Sequence, residues 1–473
     1  MRVIRFLVMA ISVFAMAKIA SAQAPAQTPS VLSDVANRDA MRGIWASPQQ
    51  GYVLDLSARN PRVFQIAANA CWLDKDLADA AKESLVVGWF NAEKTKIKVA
   101  THLGGSKTEL TKLSSLPAAC DAPVNRSPTA VYEALWQSFF EHYAFFKERN
   151  IDWAALREAQ IARISAKTTD AGLYKEIAAL LSHIDDAHVT LQAKVDGDER
   201  RLITGRGATL LALRNAFEQQ NKIKSAAEFY KTWITKTQQN IGDALLKGNG
   251  KSALSGAAFW GVNDGIGYLS LTNLINFTRS QKIDDDILAV NELLDTFFAA
   301  CKDCVAVVVD LSQNRGGDDR IALSIAARFS AQPIAVFNKQ AYSKTALADV
   351  QTFSLEPNNA SRWTKPVALI TDSVTVSAAE VLTLSMRALP NVTHMGATTR
   401  GAMSDALEKS LPNGWRFTLS NEIYRAPNGE VYEARGIAPA VALPIFDPTD
   451  LFESHAKAML KAVQMLRAVT GKS

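Results

Sequence analysis

The segment Val305-Ala-Val-Val-Val-Asp310 constrains the fold more than any other part of this 473-residue chain. A β-branched run without polar alternation reads as a strand buried on both faces, and such strands belong to parallel sheets covered by helices. Pro366-Val-Ala-Leu-Ile-Thr371 is a second run of this kind. Helical spacing surrounds them, at 283–300 before the first run, 318–330 after it and 378–389 after the second. Residues 266–271 supply an opening strand behind the turn residues Asn263-Asp264-Gly265. The alternation predicts an α/β core.

Other stretches have a different texture. Residues 52–56, 63–66, 84–90 and 96–101 read as short strands punctuated by Gly, Asn and Pro, which predicts a β-rich N-terminal domain over 23–127. From Thr129 the spacing turns helical: Val131, Leu135, Phe139, Tyr143 and Phe146 share one face, and residues 173–184 and 208–246 continue in helical style. A helical segment over 128–257 is expected. An aromatic stripe of this kind normally faces a core; a ligand surface is the alternative. The α/β core then occupies 258–449, with hairpin signals at Asn413-Gly414 and Asn428-Gly429, and a terminal helix lies within 450–473.

The N-terminus indicates export. Arg2 and Arg5 precede an apolar run over 6–17, and Ala20-Ser21-Ala22 offers the small-x-small pattern of a processing site. Residues 1–22 are therefore read as a signal peptide and the working compartment as the periplasm or the exterior, with a retained anchor as the alternative. Loss of Arg2, Arg5 and Lys18 brings the formal charge from +5 to +2. A nearly neutral chain without basic runs has no electrostatic basis for binding nucleic acid or anionic membrane, and no later stretch reads as a span. The four cysteines, in an exported protein, suggest disulfides, most simply Cys71–Cys120 and Cys301–Cys304. A redox or zinc role for Cys301-x-x-Cys304 is the alternative, and no second Cys/His pair accompanies it.

Three features bear on chemistry. Ser377 stands between the strand 367–371 and a helix opening at Ala378-Ala379-Glu380, where free helix N-terminal amides favour developing negative charge. The same Ser-x-x-Glu spacing is a capping box, and the two roles are compatible. Asn314-Arg-Gly316-Gly317 is a turn whose glycines could aim backbone N–H groups at an acyl oxygen. A serine nucleophile needs a base, and the histidines are His102, His142, His183, His188, His394 and His455. Spacing does not choose among them. His183, Asp185, Asp186 and His188 could alternatively be read as a metal cluster or a solvated helix end.

From about residue 131 to 444 the chain resembles the tail-specific (C-terminal processing) peptidases and their tricorn-core relatives. The resemblance rests on Asp186-Ala-His188, Gly265-Ile-Gly-Tyr-Leu, Asp310-Leu-Ser-Gln-Asn-Arg-Gly316-Gly317 and Thr375-Val-Ser377-Ala-Ala-Glu380. It continues through Gly396-Ala-Thr-Thr399-Arg-Gly401, Pro412-Asn-Gly414 and Glu433-Ala-Arg-Gly436-Ile-Ala-Pro439, all in the family's order. Arg400-Gly401-Ala402 lacks the lysine that the Ser–Lys branch carries after its glycine, and a guanidinium cannot serve as base. The resemblance therefore implies the tricorn-like Ser-His-Glu arrangement: Ser377 as nucleophile, His188 as base, Glu433 as orienter, and the Gly317 and Ala378 amides as oxyanion hole. His183, five residues upstream, is the rival base. Ala187 replaces the serine that the tricorn core carries beside its histidine, Ala440 replaces an Asp, and no PDZ-like module separates His188 from residue 261.

The resemblance also implies a ββα, crotonase-like serine peptidase core, acyl transfer to water without metal or organic cofactor, and a peptide or unfolded-protein substrate. Two other readings stay open on the same fold. One is a binding protein for hydrophobic ligands or peptides that has lost proteolysis; the other is a hydrolase of small esters or amides. Oligomeric state is left open.

Overall fold

The computed structural model describes residues 30–31, 39–58, 60–77, 87–100, 102, 105–220, 222–357 and 360–470. The processing segment 1–22 and residues 84–86 of one expected strand lie outside these. Among the described residues no helix is long and apolar enough to cross a membrane.

The N-terminal part is an antiparallel sheet in the order Ser30–Val31, Val87–Phe90, Lys96–Ala100, Thr108–Leu113, Ile44–Ser47, Tyr52–Asp55, Arg62–Ala67, Ala70–Leu73. Alternate residues face inward, with Trp45, Val63, Ile97, Val99 and Leu110 buried on one face. Cys71 and Cys120 are joined, linking the last strand to the turn Ala118–Cys120.

Helix Pro128–His142 starts where Ser127 accepts from the Ala130 N–H and Pro128 takes the first turn. Its aromatic stripe faces a core: Phe139 packs against Tyr143, Trp153 and Phe417 at centroid distances of 5.8, 5.2 and 5.6 Å. Core packing therefore consumes the stripe that had left a ligand surface open. Helices Trp153–Ile161 and Asp170–Leu181 follow.

After His188 the chain forms a β-hairpin, which the helical reading of 128–257 did not include. Strands Thr190–Val195 and Asp198–Ile203 pair across Asp196-Gly197, whose φ values of +53° and +93° suit a tight hairpin turn. The outer strand, Asp-Glu-Arg-Arg-Leu-Ile, is a largely exposed edge, so it lacks the apolar alternation that marks a strand. The inner strand pairs with Arg416–Ser420, which pairs with Ala406–Ser410. The segment carrying His188 is thus sewn into the core by a shared sheet. Helices Ala208–Glu218 and Ala226–Ala244 complete the segment.

The core sheet runs Lys251–Ala253, Ala258–Asn263, Ile266–Leu271, Ala306–Asp310, Val367–Thr371, Val392–Gly396, Val441–Ala442, parallel from the third strand onward. The strands at 306–310 and 367–371 are buried at every position. Helices Ile283–Ala300, Asp319–Ala327 and Ala378–Arg387 cover one face, while Ala226–Ala244 and Ser454–Thr470 cover the other. Each such Val, Leu or Ile contributes roughly 1.5–3 kcal/mol by leaving water. Cys301 and Cys304 are joined at the end of the first covering helix. Asn413-Gly414 turns a hairpin, but Asn428-Gly429 turns only a loop, closed by Ala426 N–H to Glu430 O at 2.9 Å. The fold is mixed α/β and multidomain, with the β-rich sheet at its N-terminus.

Candidate active site

The strand Val367–Thr371 ends on a loop fastened by Thr375, whose hydroxyl donates to Leu311 O at 2.7 Å. Two residues later Ser377 opens helix Ala378–Arg387 with φ +61° and ψ −131°, a conformation that costs a non-glycine residue of order 1–3 kcal/mol. Neighbours hold it there. Its N–H donates to Ala402 O at 3.0 Å and to Glu380 Oε2 at 3.3 Å. Glu380 closes the capping box seen in the sequence and does more: its carboxylate accepts from Thr399 Oγ1, Gly401 N–H and Ala402 N–H at 2.6, 2.8 and 2.9 Å. One buried acid fixes the loop 399–402 against the serine, although burial pushes its pKa up.

The turn 314–317 approaches from the neighbouring strand. Asn314, fully buried, donates to Leu271 O and accepts from Gly316 N–H, both at 2.9 Å. Gly316 lies so close to Ser377 that a Cβ there would sit 2.7 Å from the serine Cβ, and its φ of +84° also favours glycine. Leu274 N–H donates to Gly316 O and Asp318 N–H donates to Leu274 O, at 2.7 and 3.0 Å. Among the described residues, the N–H groups of Gly317 and Ala378 donate to no protein acceptor. Two free amides therefore flank Ser377, one on the glycine turn and one at a helix N-terminus.

His188 is half-buried at the foot of the β-hairpin, its own N–H donating to Asp186 Oδ1 at 2.9 Å. Its Nδ1 is enclosed without a hydrogen-bond partner, and burial, helped by the Arg149 charge, lowers its pKa despite Asp186 and Asp405. The imidazole is thus neutral near pH 7. The loop 399–405 connects it to the serine: Ala402 O holds the Ser377 N–H, and the Asp405 carboxylate acts on His188. No direct hydrogen bond joins Ser377 Oγ to His188. His183 is exposed on the other side of Asp185. His142, His394 and His455 are buried in the core; His394 bonds Thr371 Oγ1 and His455 bonds Asp310, at 2.7 and 2.8 Å.

Glu433 is buried beside this loop, but its carboxylate does not bond His188. Oε1 accepts from Arg149 at 2.9 Å; Oε2 accepts from the Met403 and Ser404 N–H groups at 2.8 and 3.1 Å. Arg149 also faces Asp186 at 3.3 Å, and Asp186 accepts from Tyr143 at 2.8 Å. Burial and the nearby Asp186 charge push the Glu433 pKa up, with Arg149 opposing. For Asp186, Arg149 and His188 outweigh burial, and its pKa is lowered. Arg149 carried no signal in the sequence, since its partners lie 37 and 284 residues away.

A second buried group was equally invisible. Lys339 pairs with Asp405 and Glu422, and Tyr424 donates to Asp319 and Asp405 at 2.6 and 3.1 Å. Burial and Asp405 raise the Asp319 pKa to about 7. Asp319 stands two residues beyond Gly317, so this network braces the glycine turn and the His188 side together. The metal reading finds no site: among the described residues no three His, Cys, Asp or Glu side chains converge, and Asp185 pairs with Arg400.

Residues 265–443 match the model of Peptidase family S41. Over this stretch the chain is similar to family S41. The match spans Gly317, Ser377, Ala378 and Glu433 and leaves out His188, on the preceding segment. Among solved structures the chain is similar to a Parabacteroides merdae ATCC 43184 protein described as a candidate peptidase, with 24% identity over 72% of this chain and 97% of that one and a TM-score of 0.57. It is also similar to mature CPAF, at 11% identity, 73% and 97% coverage and a TM-score of 0.53. These likenesses establish a shared fold that extends beyond the S41 match. No curated protein matches the chain.

Proposed function

We propose that the chain is an exported serine endopeptidase that hydrolyses peptide or unfolded-protein substrates through an acyl-enzyme. The observation that carries this is the strained Ser377 in a core similar to family S41, flanked by the free amides of Gly317 and Ala378. Ser377 Oγ attacks the scissile carbonyl carbon while its proton passes to neutral His188. The carbonyl oxygen becomes an oxyanion between the two amides, where preorganised donors act in a partly dry site. Collapse breaks the C–N bond, and His188 returns the proton to the leaving amine. Water then attacks the acyl ester, giving its proton to His188, and the serine regains a proton as the carboxylic acid departs.

Ser377 and His188 lack a direct hydrogen bond, and catalytic hydrogen bonds commonly tighten only around bound substrate. Glu433 takes the orienting role at one remove, by holding Arg149 and the loop that separates serine from histidine. The N-terminal sequence and the two disulfides support export.

The test is digestion of a reduced, carboxymethylated protein by the purified chain beside Ser377→Ala. Fragments that appear with the parent and not with the variant are expected. Equal digestion by both would remove Ser377 from the mechanism.

A further inference from the structure

Asp310 stands at the root of the glycine turn, where the buried strand Ala306–Asp310 ends. It is buried, and three donors converge on its carboxylate. Oδ2 accepts from the Tyr268 hydroxyl at 2.6 Å and from His455 Nε2 at 2.8 Å, while Oδ1 accepts from the Ser312 N–H at 2.9 Å. Tyr268 belongs to the neighbouring core strand, His455 to the terminal helix Ser454–Thr470, and Ser312 to the turn itself. One side chain thus ties the terminal helix to the turn that carries the Gly317 amide. From Ser312 the tie runs on locally. Asn314 N–H donates to Leu311 O and Gly316 N–H to Asn314 Oδ1, both at 2.9 Å.

Packing alone does not account for a histidine at 455. Its helix meets the sheet through apolar side chains, among them Ala458, Met459, Ala462 and Val463. Among the described residues nothing bonds its enclosed Nδ1, and a buried polar atom without a partner costs free energy that an apolar side chain would not. The ring lies flat on Phe446, with centroids 5.3 Å apart and planes at 11°, which aims Nε2 at Asp310. Burial alone would raise the Asp310 pKa; His455 outweighs it and keeps the carboxylate ionised. A charged acceptor holds the Ser312 N–H more strongly than a neutral one. His455 also lies beyond the stretch 265–443 that matches the family.

We propose that His455 is a positioning residue of the oxyanion hole: through Asp310 and Ser312 it fixes the turn whose Gly317 N–H receives the developing charge. The proposal rests on the reading of Ser377 as nucleophile.

The test is fluorophosphonate labelling of the full chain and its variants, resolved into the rate of the chemical step (kinact) and the affinity for the probe (KI), beside urea unfolding. His455→Phe keeps an aromatic ring on Phe446 and donates nothing. It should lower kinact about tenfold with KI unchanged, less than the roughly hundredfold or more that loss of a whole oxyanion donor costs. His455→Gln, whose amide nitrogen can stand where Nε2 does, should restore most of that rate. Met459→Ala, at a fully buried position of the same helix with no bond to Asp310, opens a cavity and controls for stability. It should destabilise the fold and leave kinact at the parent's value. Asp310→Asn, the milder change at the acceptor, should also slow the step, and adding His455→Phe to it should cost little more, because one residue acts through the other. If His455→Phe does not fold, Asp310→Asn carries the test. A parental kinact in folded His455→Phe or Asp310→Asn overturns the proposal, as does a Met459→Ala that slows labelling as much as His455→Phe. Either result with a parent that labels on Ser377 leaves the nucleophile standing; a parent that takes no label overturns both.

Discussion

At Ser377 local conformation and chemistry pull in opposite directions. A φ of +61° with ψ −131° suits glycine, yet the position carries a hydroxyl between two free amides. The strain persists because Glu380, Ala402 and the Gly316 contact define the backbone around it. Replacement by glycine should release the strain, whereas replacement by alanine retains it. Ser377→Gly is therefore expected to exceed Ser377→Ala in unfolding free energy by roughly 1 kcal/mol, after the extra flexibility of glycine in the unfolded chain is offset. Urea denaturation of the two inactive variants measures it, and equal midpoints would count against a strained nucleophile. The strand, the loop and the helix start around this residue were legible in the sequence, since a buried apolar run and a Ser-x-x-Glu helix opening are local signals. The contacts of Glu433 were not legible, because a motif does not say which side chain its carboxylate meets.

The elements that assemble the site are joined by buried charge. The loop 399–405 belongs to the core and Arg149 to the helical segment, and Glu433 binds both. Removing one member of a buried ion network strands its partners, typically at 3–5 kcal/mol. Arg149→Met should destabilise the fold by about that much, leaving Glu433 and Asp186 to compete for a single proton. Glu433→Gln keeps an acceptor for the Met403 and Ser404 amides and should cost less than Arg149→Met. The comparison is made by denaturant midpoint; an order in which Glu433→Gln costs more would show that its charge has a use beyond Arg149. Helix 283–300 was legible to the residue because its apolar spacing is uninterrupted. The hairpin 190–203 was not, although Asp196-Gly197 is a hairpin signal, because its charged outer strand looks like loop.

On the scale of the whole molecule, acid should loosen the assembly. His142 is buried beside Lys409, which donates to Gln50 O and Gly51 O at the seam between the core and the N-terminal sheet. Burial, then Lys409, lowers the His142 pKa to about 3; burial and Arg387 bring His394 to about 3 in the core sheet. A histidine depressed from about 6.5 binds a proton in the unfolded chain that the folded chain refuses. Stability therefore falls as pH drops from about 6.5 toward 3. Between pH 7 and pH 5 each costs about 2 kcal/mol. His142→Asn and His394→Asn should each flatten the pH dependence of unfolding free energy by about that amount, and an unchanged slope would contradict it. The α/β core was legible as a whole because its strands are continuous apolar runs. The docking of the N-terminal sheet was not, since contacts such as Gln50 with Lys409 join residues 359 apart.

The most direct test of Ser377 and His188 as nucleophile and base is the pH dependence of fluorophosphonate labelling, with the modified residue located by mass spectrometry. The base acts when neutral, and burial lowers the His188 pKa from its ordinary 6.5. Labelling should fall on Ser377, vanish in Ser377→Ala, drop at least a hundredfold in His188→Gln, and rise with pH through a midpoint below 6.5. A folded parent that takes no label, a label on another residue, or a His188→Gln variant that labels at the parent's rate would contradict it.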